Sequence, residues 1–75
     1  MDTLTPLVRV RQLARSGRAR EIREAANLSY RELAGAINVD PSTLLRWEAG
    51  QTRPRGEVAL QWLRVLEELE AAVAA

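Results

Sequence analysis

Hydrophobic residues recur at every third or fourth position in five successive segments of this 75-residue chain. This spacing is typical of amphipathic α-helices, and Gly, Pro, Asn or Asp residues separate the segments. The pattern predicts helices over residues 5–16, 18–26, 29–37, 41–49 and 56–72. We therefore predict an all-α fold, a compact bundle of about five short helices that forms a single domain over residues 1–75.

The third and fourth predicted helices carry the most specific start and stop signals. Ser29 can cap the third helix, and Glu32, three residues later, completes an S/T-x-x-E capping box. Asp40 stands where the next N-cap belongs, and Pro41 follows at the first helical position, where its missing N–H costs nothing. Gly50 lies just past the predicted end of the fourth helix. Because the connection is only about three residues long, the two helices are expected to form a helix-turn-helix.

A longer set of residues extends this pattern on both sides of the two helices. It comprises Arg23-Glu-Ala-Ala-Asn-Leu-Ser29, Glu32-Leu33-Ala34, Val39, Ser42-Thr43-Leu44, Arg46-Trp47-Glu48, Gly50 and the Arg53-Pro54 pair. The set spans roughly residues 18–69 and resembles the Cro/Xre family of helix-turn-helix DNA-binding domains. The resemblance implies a lambda-repressor-like domain, here with an extra N-terminal helix and a longer C-terminal helix, whose partner is double-stranded DNA.

By the same resemblance, the helix over 41–49 is the recognition helix, which enters the major groove by its N-terminal part. The residues that occupy the family's base-reading positions are Pro41, Ser42, Leu45 and Arg46, and Thr43 lies at the edge of this face. Leu44 and Trp47 are expected to point into the core. Arg46 is the best single candidate, because a bidentate contact between arginine and guanine supplies about 1–3 kcal/mol of discrimination. Many relatives have a polar side chain where Pro41 stands, so part of the specificity is expected to come from DNA shape and dimer spacing.

Contacts to DNA phosphates are expected from two other places. One is the start of the third helix, where Ser29, Tyr30 and Arg31 stand in positions that the family uses to bind the backbone. The other is the loop before the last helix, which in the family lies along the DNA and here carries Arg53 and Arg55. The alternatives are ordinary solvated charges in the loop and, for Tyr30, an aromatic ring packed on the helix end. Phosphate contacts orient a domain without reading sequence.

The resemblance also predicts a structural ion pair. In the family, an arginine at the position of Arg23 often pairs with a buried glutamate at the position of Glu48, and both residues are present here. The pair would tie the second helix to the recognition helix. Asn27 stands where the family usually has glycine, and asparagine is the next-best residue for a left-handed helix end.

The roles of the two terminal helices stay open. Thr5 and Pro6 read as a cap and a first-position proline for the N-terminal helix. That helix either covers the core, forms a dimer contact, or serves as an arm that reaches phosphate through Arg9, Arg11 and Arg15. The last helix has one apolar stripe and a second beside it, which suggests contact with the N-terminal helix or a subunit interface. The residues of the two stripes are Val58, Trp62, Val65, Leu66, Leu69 and Val73, and then Leu60 and Leu63.

Composition excludes several classes of function. The chain contains no cysteine and no histidine, so disulfides, cysteine-ligated metals and histidine-based catalytic sites are ruled out. Its ten carboxylates are mostly scattered on helix faces, and we predict no enzyme activity and no cofactor. There is no apolar run of 18 or more residues and no signal-peptide pattern, which predicts a cytoplasmic, nucleoid-associated protein rather than a membrane protein.

Charge is segregated along the chain, although the net charge is only +1. Six arginines against three acids give +3 over residues 1–27, four against three give +1 over 28–56, and one against four gives −3 over 57–75. The acidic C-terminal end is therefore expected to point away from DNA. All eleven basic residues are arginine, which indicates either a GC-rich coding sequence or a use of bidentate contacts.

Together these features predict a small transcriptional regulator of bacterial or phage type, a Cro-like repressor, that binds DNA as a homodimer. A domain of this size buries too little DNA for tight selective binding alone, which is the reason for expecting a dimer. The alternative is a protein-interaction module, an antitoxin or adaptor that binds a protein partner through the apolar face of the last helix. Near-neutral net charge and the doubled stripe support that alternative.

Overall fold

The computed structural model describes residues 2–75, and over this range it contains helices and no β-strand. The helices are α1 (Leu4–Arg15), α2 (Arg18–Ala25), α3 (Tyr30–Ala36), α4 (Pro41–Glu48) and α5 (Gly56–Ala74). The predicted all-α fold of five helices is confirmed. None of the helices in this described range is long and apolar enough to cross a membrane.

The start of α1 differs from the prediction, because Asp2 and not Thr5 caps it. Oδ1 of Asp2 accepts hydrogen bonds from the backbone N–H of Leu4 at 2.9 Å and of Thr5 at 3.3 Å. The Thr5 hydroxyl donates to the other carboxylate oxygen. Pro6 therefore lies in the first turn of the helix, where a backbone N–H would have no partner within the helix.

Helices α2, α3 and α4 all end in the same way. Asn27, Asn38 and Gly50 have positive φ angles of 61°, 57° and 73°, and each follows the last helical turn. In each case the next backbone N–H bonds back across the turn, from Leu28 to Arg23 at 3.2 Å, from Val39 to Ala34 at 3.0 Å, and from Gln51 to Arg46 at 2.9 Å. These are Schellman motifs, which fix the direction in which the chain leaves each helix. Asn27 and Gly50 were predicted as helix ends, whereas Asn38 was not.

The core lies where all five helices meet, and Trp62 of α5 is fully buried at its centre. The rings of Trp47 and Trp62 stack with centroids 5.3 Å apart, which joins α4 directly to α5. The other buried apolar side chains are Val10, Ala14, Ala19, Ile22, Leu33, Ala34, Ile37, Leu44, Ala59, Leu63 and Leu66. Because every helix contributes to this cluster, α4 is supported by the whole domain.

The N-terminal helix is part of this core, since Val10 and Ala14 are buried against it. Helix α1 thus covers part of the core, and the other roles considered for it stay open. Nη1 of Arg9 lies 3.5 Å from a carboxylate oxygen of Glu67 on α5. Arg9, one of the three arginines proposed for a phosphate-binding arm, is thus directed to another helix of the same domain.

The two apolar stripes of α5 are not separate surfaces. Leu63, from the second stripe, is only 5% exposed and is buried in the same core as Trp62 and Leu66. Val73, from the first stripe, is 51% exposed. The helix continues to Ala74, two residues beyond its predicted end. Leu63 is therefore used inside the domain, whereas Leu60 of the second stripe is half-buried and lies outside the core cluster.

Candidate nucleic-acid interface

The start of α3 contains the predicted capping box. The Ser29 hydroxyl oxygen accepts the backbone N–H of Glu32 at 3.0 Å, and the Glu32 carboxylate accepts the backbone N–H of Ser29 at 2.9 Å. The hydrogen bonds from Ser29, first from its backbone, lower the pKa of Glu32 below its ordinary value. The capping box thus gives acceptors to the N–H groups of Ser29 and Glu32, which have no carbonyl partner within the helix. This fixes where the helix-turn-helix begins.

Replacing Ser29 with alanine is expected to reduce the free energy of unfolding by about 1 kcal/mol, because the Glu32 amide loses its acceptor. Thermal unfolding measures this, and Thr3→Ala is the matched control, since Thr3 at the start of α1 makes no side-chain capping bond. A group whose pKa is lowered on folding stabilises the fold above its ordinary pKa and loses that contribution as pH falls. Because Ser29→Ala keeps the backbone N–H that contributes most to the lowered pKa of Glu32, both proteins should lose this contribution in acid. If Ser29→Ala and Thr3→Ala have equal melting temperatures at pH 7, Ser29 does not have the capping role assigned to it.

The start of α4 is capped by Asp40, as predicted. Oδ1 of Asp40 accepts the backbone N–H of Ser42 at 2.8 Å and also the Ser42 hydroxyl at 2.5 Å. The hydroxyl bond, followed by the backbone bond, lowers the pKa of Asp40, so its carboxylate is ionised at neutral pH. No pattern in the sequence predicted this bond of the Ser42 hydroxyl. Its proton is used within the domain, while its oxygen lone pairs remain available to accept a hydrogen bond.

Helix α4 has one buried face and one outward face. Leu44 and Trp47 are buried, which confirms the predicted inward positions. On the opposite side Ser42 and Arg46 are exposed, and Leu45 is 47% exposed although it is a large apolar residue. The two remaining candidate base readers, Pro41 and Thr43, are half-buried at the edge of this face.

The candidate phosphate contacts at α3 differ in their environments. Tyr30 is half-buried and packs against the core, and the Arg31 guanidinium lies over its ring, 5.4 Å from the centroid. The ring of Tyr30 is therefore more buried than the exposed aromatic that the alternative expected. Ser29 and Arg31 are exposed. The start of α3 therefore presents a hydroxyl group and a guanidinium group to the surface.

The other candidates lie in the α4–α5 loop, residues 49–55, where Arg53 and Arg55 are both exposed. Pro54, between them, is buried. Nε of Arg11 on α1 donates a hydrogen bond of 2.8 Å to the carbonyl oxygen of Pro54. The loop is therefore held against α1. Sequence reasoning missed this bond, since no local pattern relates two residues 43 positions apart.

The predicted ion pair between Arg23 and Glu48 is present and bidentate. Nε of Arg23 donates to one carboxylate oxygen of Glu48 at 2.7 Å, and Nη2 donates to the other at 3.0 Å. Nη1 of Arg23 also donates to the carbonyl of Leu28 at 2.8 Å. Both charged residues are less than a tenth exposed, and the bonds to Glu48 raise the pKa of Arg23 above its ordinary value. The pair fixes the angle between α2 and the C-terminal end of α4.

Within the described residues, no group of three or more Asp or Glu side chains is arranged to hold a metal ion. The polar groups of the α4 face and of the neighbouring loop are instead separate hydrogen-bond donors and acceptors at the surface. Such a surface suits the edges of bases in a groove and the phosphates beside it.

A short capped helix, joined by a tight turn to the helix before it and displaying polar side chains outward, defines a helix-turn-helix DNA-binding domain. The chain belongs to the Cro/C1-type helix-turn-helix family, whose model matches residues 20–71. This is a family of DNA-binding transcription regulators and not of enzymes. Comparison with curated proteins and with solved structures gives no match.

Proposed function

We propose that this protein binds double-stranded DNA sequence-specifically through α4 and acts as a small Cro-like repressor of transcription in a bacterium or phage. The observation that supports this most strongly is the division of α4 into two faces. Leu44 and Trp47 fix the helix to the core, while Ser42, Leu45 and Arg46 face outward. The exposed arginine offers donors to guanine acceptors, and the exposed leucine beside it can contact a thymine methyl group.

Each outward residue of α4 has a distinct role in this proposal. Arg46 binds O6 and N7 of guanine with two hydrogen bonds, and it is the main source of discrimination. Leu45 and Pro41 contact thymine methyl groups. Ser42 accepts a hydrogen bond from a base amino group, because its own proton is donated to Asp40. Thr43, at the edge of the face, contacts the nearest base or sugar.

Phosphate contacts on both sides of α4 hold it in register. Arg53 and Arg55 bind the backbone from the α4–α5 loop, and Ser29, Tyr30 and Arg31 bind it from the start of α3. The exposure of both loop arginines and of Arg31 supports these roles, since all three can be reached by a large ligand. These contacts supply affinity that depends on salt and not on sequence.

Two copies of the protein act together on an inverted repeat, with their recognition helices about one helical turn, ~34 Å, apart. A single copy can insert one short helix, α4, into one stretch of major groove, which gives a small interface. Binding as a homodimer doubles the number of bases read. The protein acts on DNA in the cytoplasm, at the nucleoid.

Replacing Arg53 with alanine is expected to weaken binding to every duplex, because a phosphate contact is sequence-independent. The slope of log K against log salt concentration should become shallower by about one unit. Fluorescence anisotropy over a range of salt concentrations measures that slope on two duplexes. One carries the selected site, the sequence that the wild-type protein enriches from a library of randomised duplexes, and the other has a random sequence. An unchanged slope would remove Arg53 from the set of phosphate contacts.

The proposed function is tested by titrating the wild-type protein into duplex DNA at several salt concentrations. Steeply salt-dependent binding is the expected result. The alternative, an antitoxin or adaptor that binds a protein partner, predicts weak duplex binding and a protein affinity that hardly changes with salt. Burial of Leu63 in the core leaves that alternative with less free apolar surface than the sequence suggested.

A further inference from the structure

We propose that the groove between α1 and the α4–α5 loop binds a backbone phosphate of DNA that flanks the site read by α4. This inference rests on the proposed function and extends the DNA-binding surface to α1. That helix precedes residues 20–71, the part of the chain that matches the family.

The groove is an open depression of about 550 Å³, lined on one side by α1 and on the other by the α4–α5 loop. Arg11 and Arg15 come from α1, and Arg53 comes from the loop. Thr52 adds a hydroxyl group, and no acidic side chain lines the groove. Three guanidinium groups around one concave surface raise its potential, and a phosphate would relieve their mutual repulsion.

The arginines of α1 and α2 divide into two sets according to their partners. Those outside the groove each lie within 4.0 Å of a carboxylate, in the pairs Arg9–Glu67, Arg18–Glu70, Arg20–Glu24 and Arg23–Glu48. Arg11 and Arg15, which line the groove, have no such carboxylate partner in the described part of the chain. The positive charge that the fold leaves uncompensated on these two helices is therefore concentrated at the groove.

The groove is also held in shape by the domain itself. Nε of Arg11 donates to the carbonyl of buried Pro54 at 2.8 Å, which leaves the terminal amino groups of the same guanidinium to bind a ligand. Trp47 and Pro54 line the groove and are buried. A phosphate would therefore meet one guanidinium, that of Arg11, that is already held in place, which reduces the conformational entropy lost on binding.

The position of the groove favours DNA over a small free anion. Arg53 lines the groove and belongs to the loop that continues directly from the end of α4. A strand whose phosphate contacts Arg53 would next meet Arg15, because the two side chains line the same depression. The groove is thus continuous with the proposed DNA surface, and its occupant would be a phosphate beyond the bases that α4 reads.

The test compares Arg15→Gln with Arg64→Gln. Both arginines are exposed, so neither change threatens the core, and each removes one positive charge; Arg64 lies on α5, away from the groove. On a duplex that extends beyond the selected site, Arg15→Gln should make the salt slope shallower by about 0.9, whereas Arg64→Gln should leave it unchanged. The advantage of wild type over Arg15→Gln should fall about 3.5-fold between ~50 and ~200 mM salt.

A second duplex, trimmed to the selected site, supplies the internal control. On this trimmed duplex, the salt slope of the wild type should fall to that of Arg15→Gln. The slope of Arg15→Gln should be the same on both duplexes. The proposal is overturned if Arg15→Gln and Arg64→Gln have equal slopes on the long duplex. A second contrary outcome combines two results: inorganic phosphate shifts the NMR resonances of the Arg15 side chain, and the long and trimmed duplexes give the same salt slope. The groove would then bind a free anion only, and the proposal would be overturned.

The outcome for Arg53→Ala separates this inference from the proposed function. If that variant loses a unit of slope and Arg15→Gln does not, DNA binding stands and the flanking site is wrong. If the wild type shows no salt-dependent duplex binding, both proposals fail.

Discussion

Replacing Glu48 with alanine is expected to lower the free energy of unfolding by about 3–5 kcal/mol. The carboxylate is the partner of a bidentate pair, with bonds of 2.7 and 3.0 Å to Arg23, and both residues are buried. Without it, the Arg23 guanidinium keeps its positive charge inside the domain with only the Leu28 carbonyl as an acceptor. A domain of this size has a total stability of about 5–15 kcal/mol, so the loss is a large share of it.

Urea denaturation followed by circular dichroism measures this effect. Glu24→Ala is the matched control, because Glu24 forms an exposed pair with Arg20 at 3.3 Å, and exposed pairs contribute less than about 1 kcal/mol. The double variant Arg23→Met/Glu48→Leu, which removes both charges and keeps apolar volume, should recover most of the lost stability. If Glu48→Ala and Glu24→Ala are equally stable, the pair does not hold α2 to α4.

If Arg46 reads guanine as proposed, replacing it with alanine is expected to reduce affinity for the DNA site selected from a randomised library by about 5- to 140-fold, which corresponds to about 1–3 kcal/mol. Affinity for a random duplex should fall much less, because guanine contacts contribute only where guanine is present. Arg46 is exposed and forms no salt bridge in the described part of the chain, so its removal should leave the fold unchanged.

Competition binding against both duplexes measures the ratio, with Arg64→Ala as the control for loss of one arginine elsewhere on the surface. The selected site should also lose its preference for guanine at one position when it is reselected with the variant. An equal loss on both duplexes would make Arg46 a phosphate contact.

Most of the fold follows from local signals in the sequence. The capping box of Ser29 and Glu32 and the cap of Asp40 were predictable because each involves residues no more than three positions apart. The cap of α1 was predicted wrongly. Asp2, and Thr5 followed by Pro6, are both local signals for a helix start, and the sequence does not show which of the two caps the helix. The left-handed Asn38 was missed because asparagine marks a helix end less strongly than glycine does.

The candidate site was predictable where it depends on helical periodicity. The inward positions of Leu44 and Trp47 and the outward position of Arg46 follow from the period of 3.6 residues. The bond of the Ser42 hydroxyl to Asp40 depends on a rotamer, and the packing of Tyr30 depends on residues distant in the chain. The doubled stripe of α5 left contact with the N-terminal helix and a subunit interface open; Leu63 is buried in the core, and both α1 and α2 pack on α5.

The most direct test of sequence-specific binding by α4 is selection of wild-type protein on a library of randomised duplexes, followed by sequencing. Enrichment of an inverted repeat is expected, with guanine at one fixed position in each half-site and half-sites about 10 base pairs apart. If no sequence is enriched even at low salt, the protein does not read DNA through α4, and the protein-binding alternative takes its place.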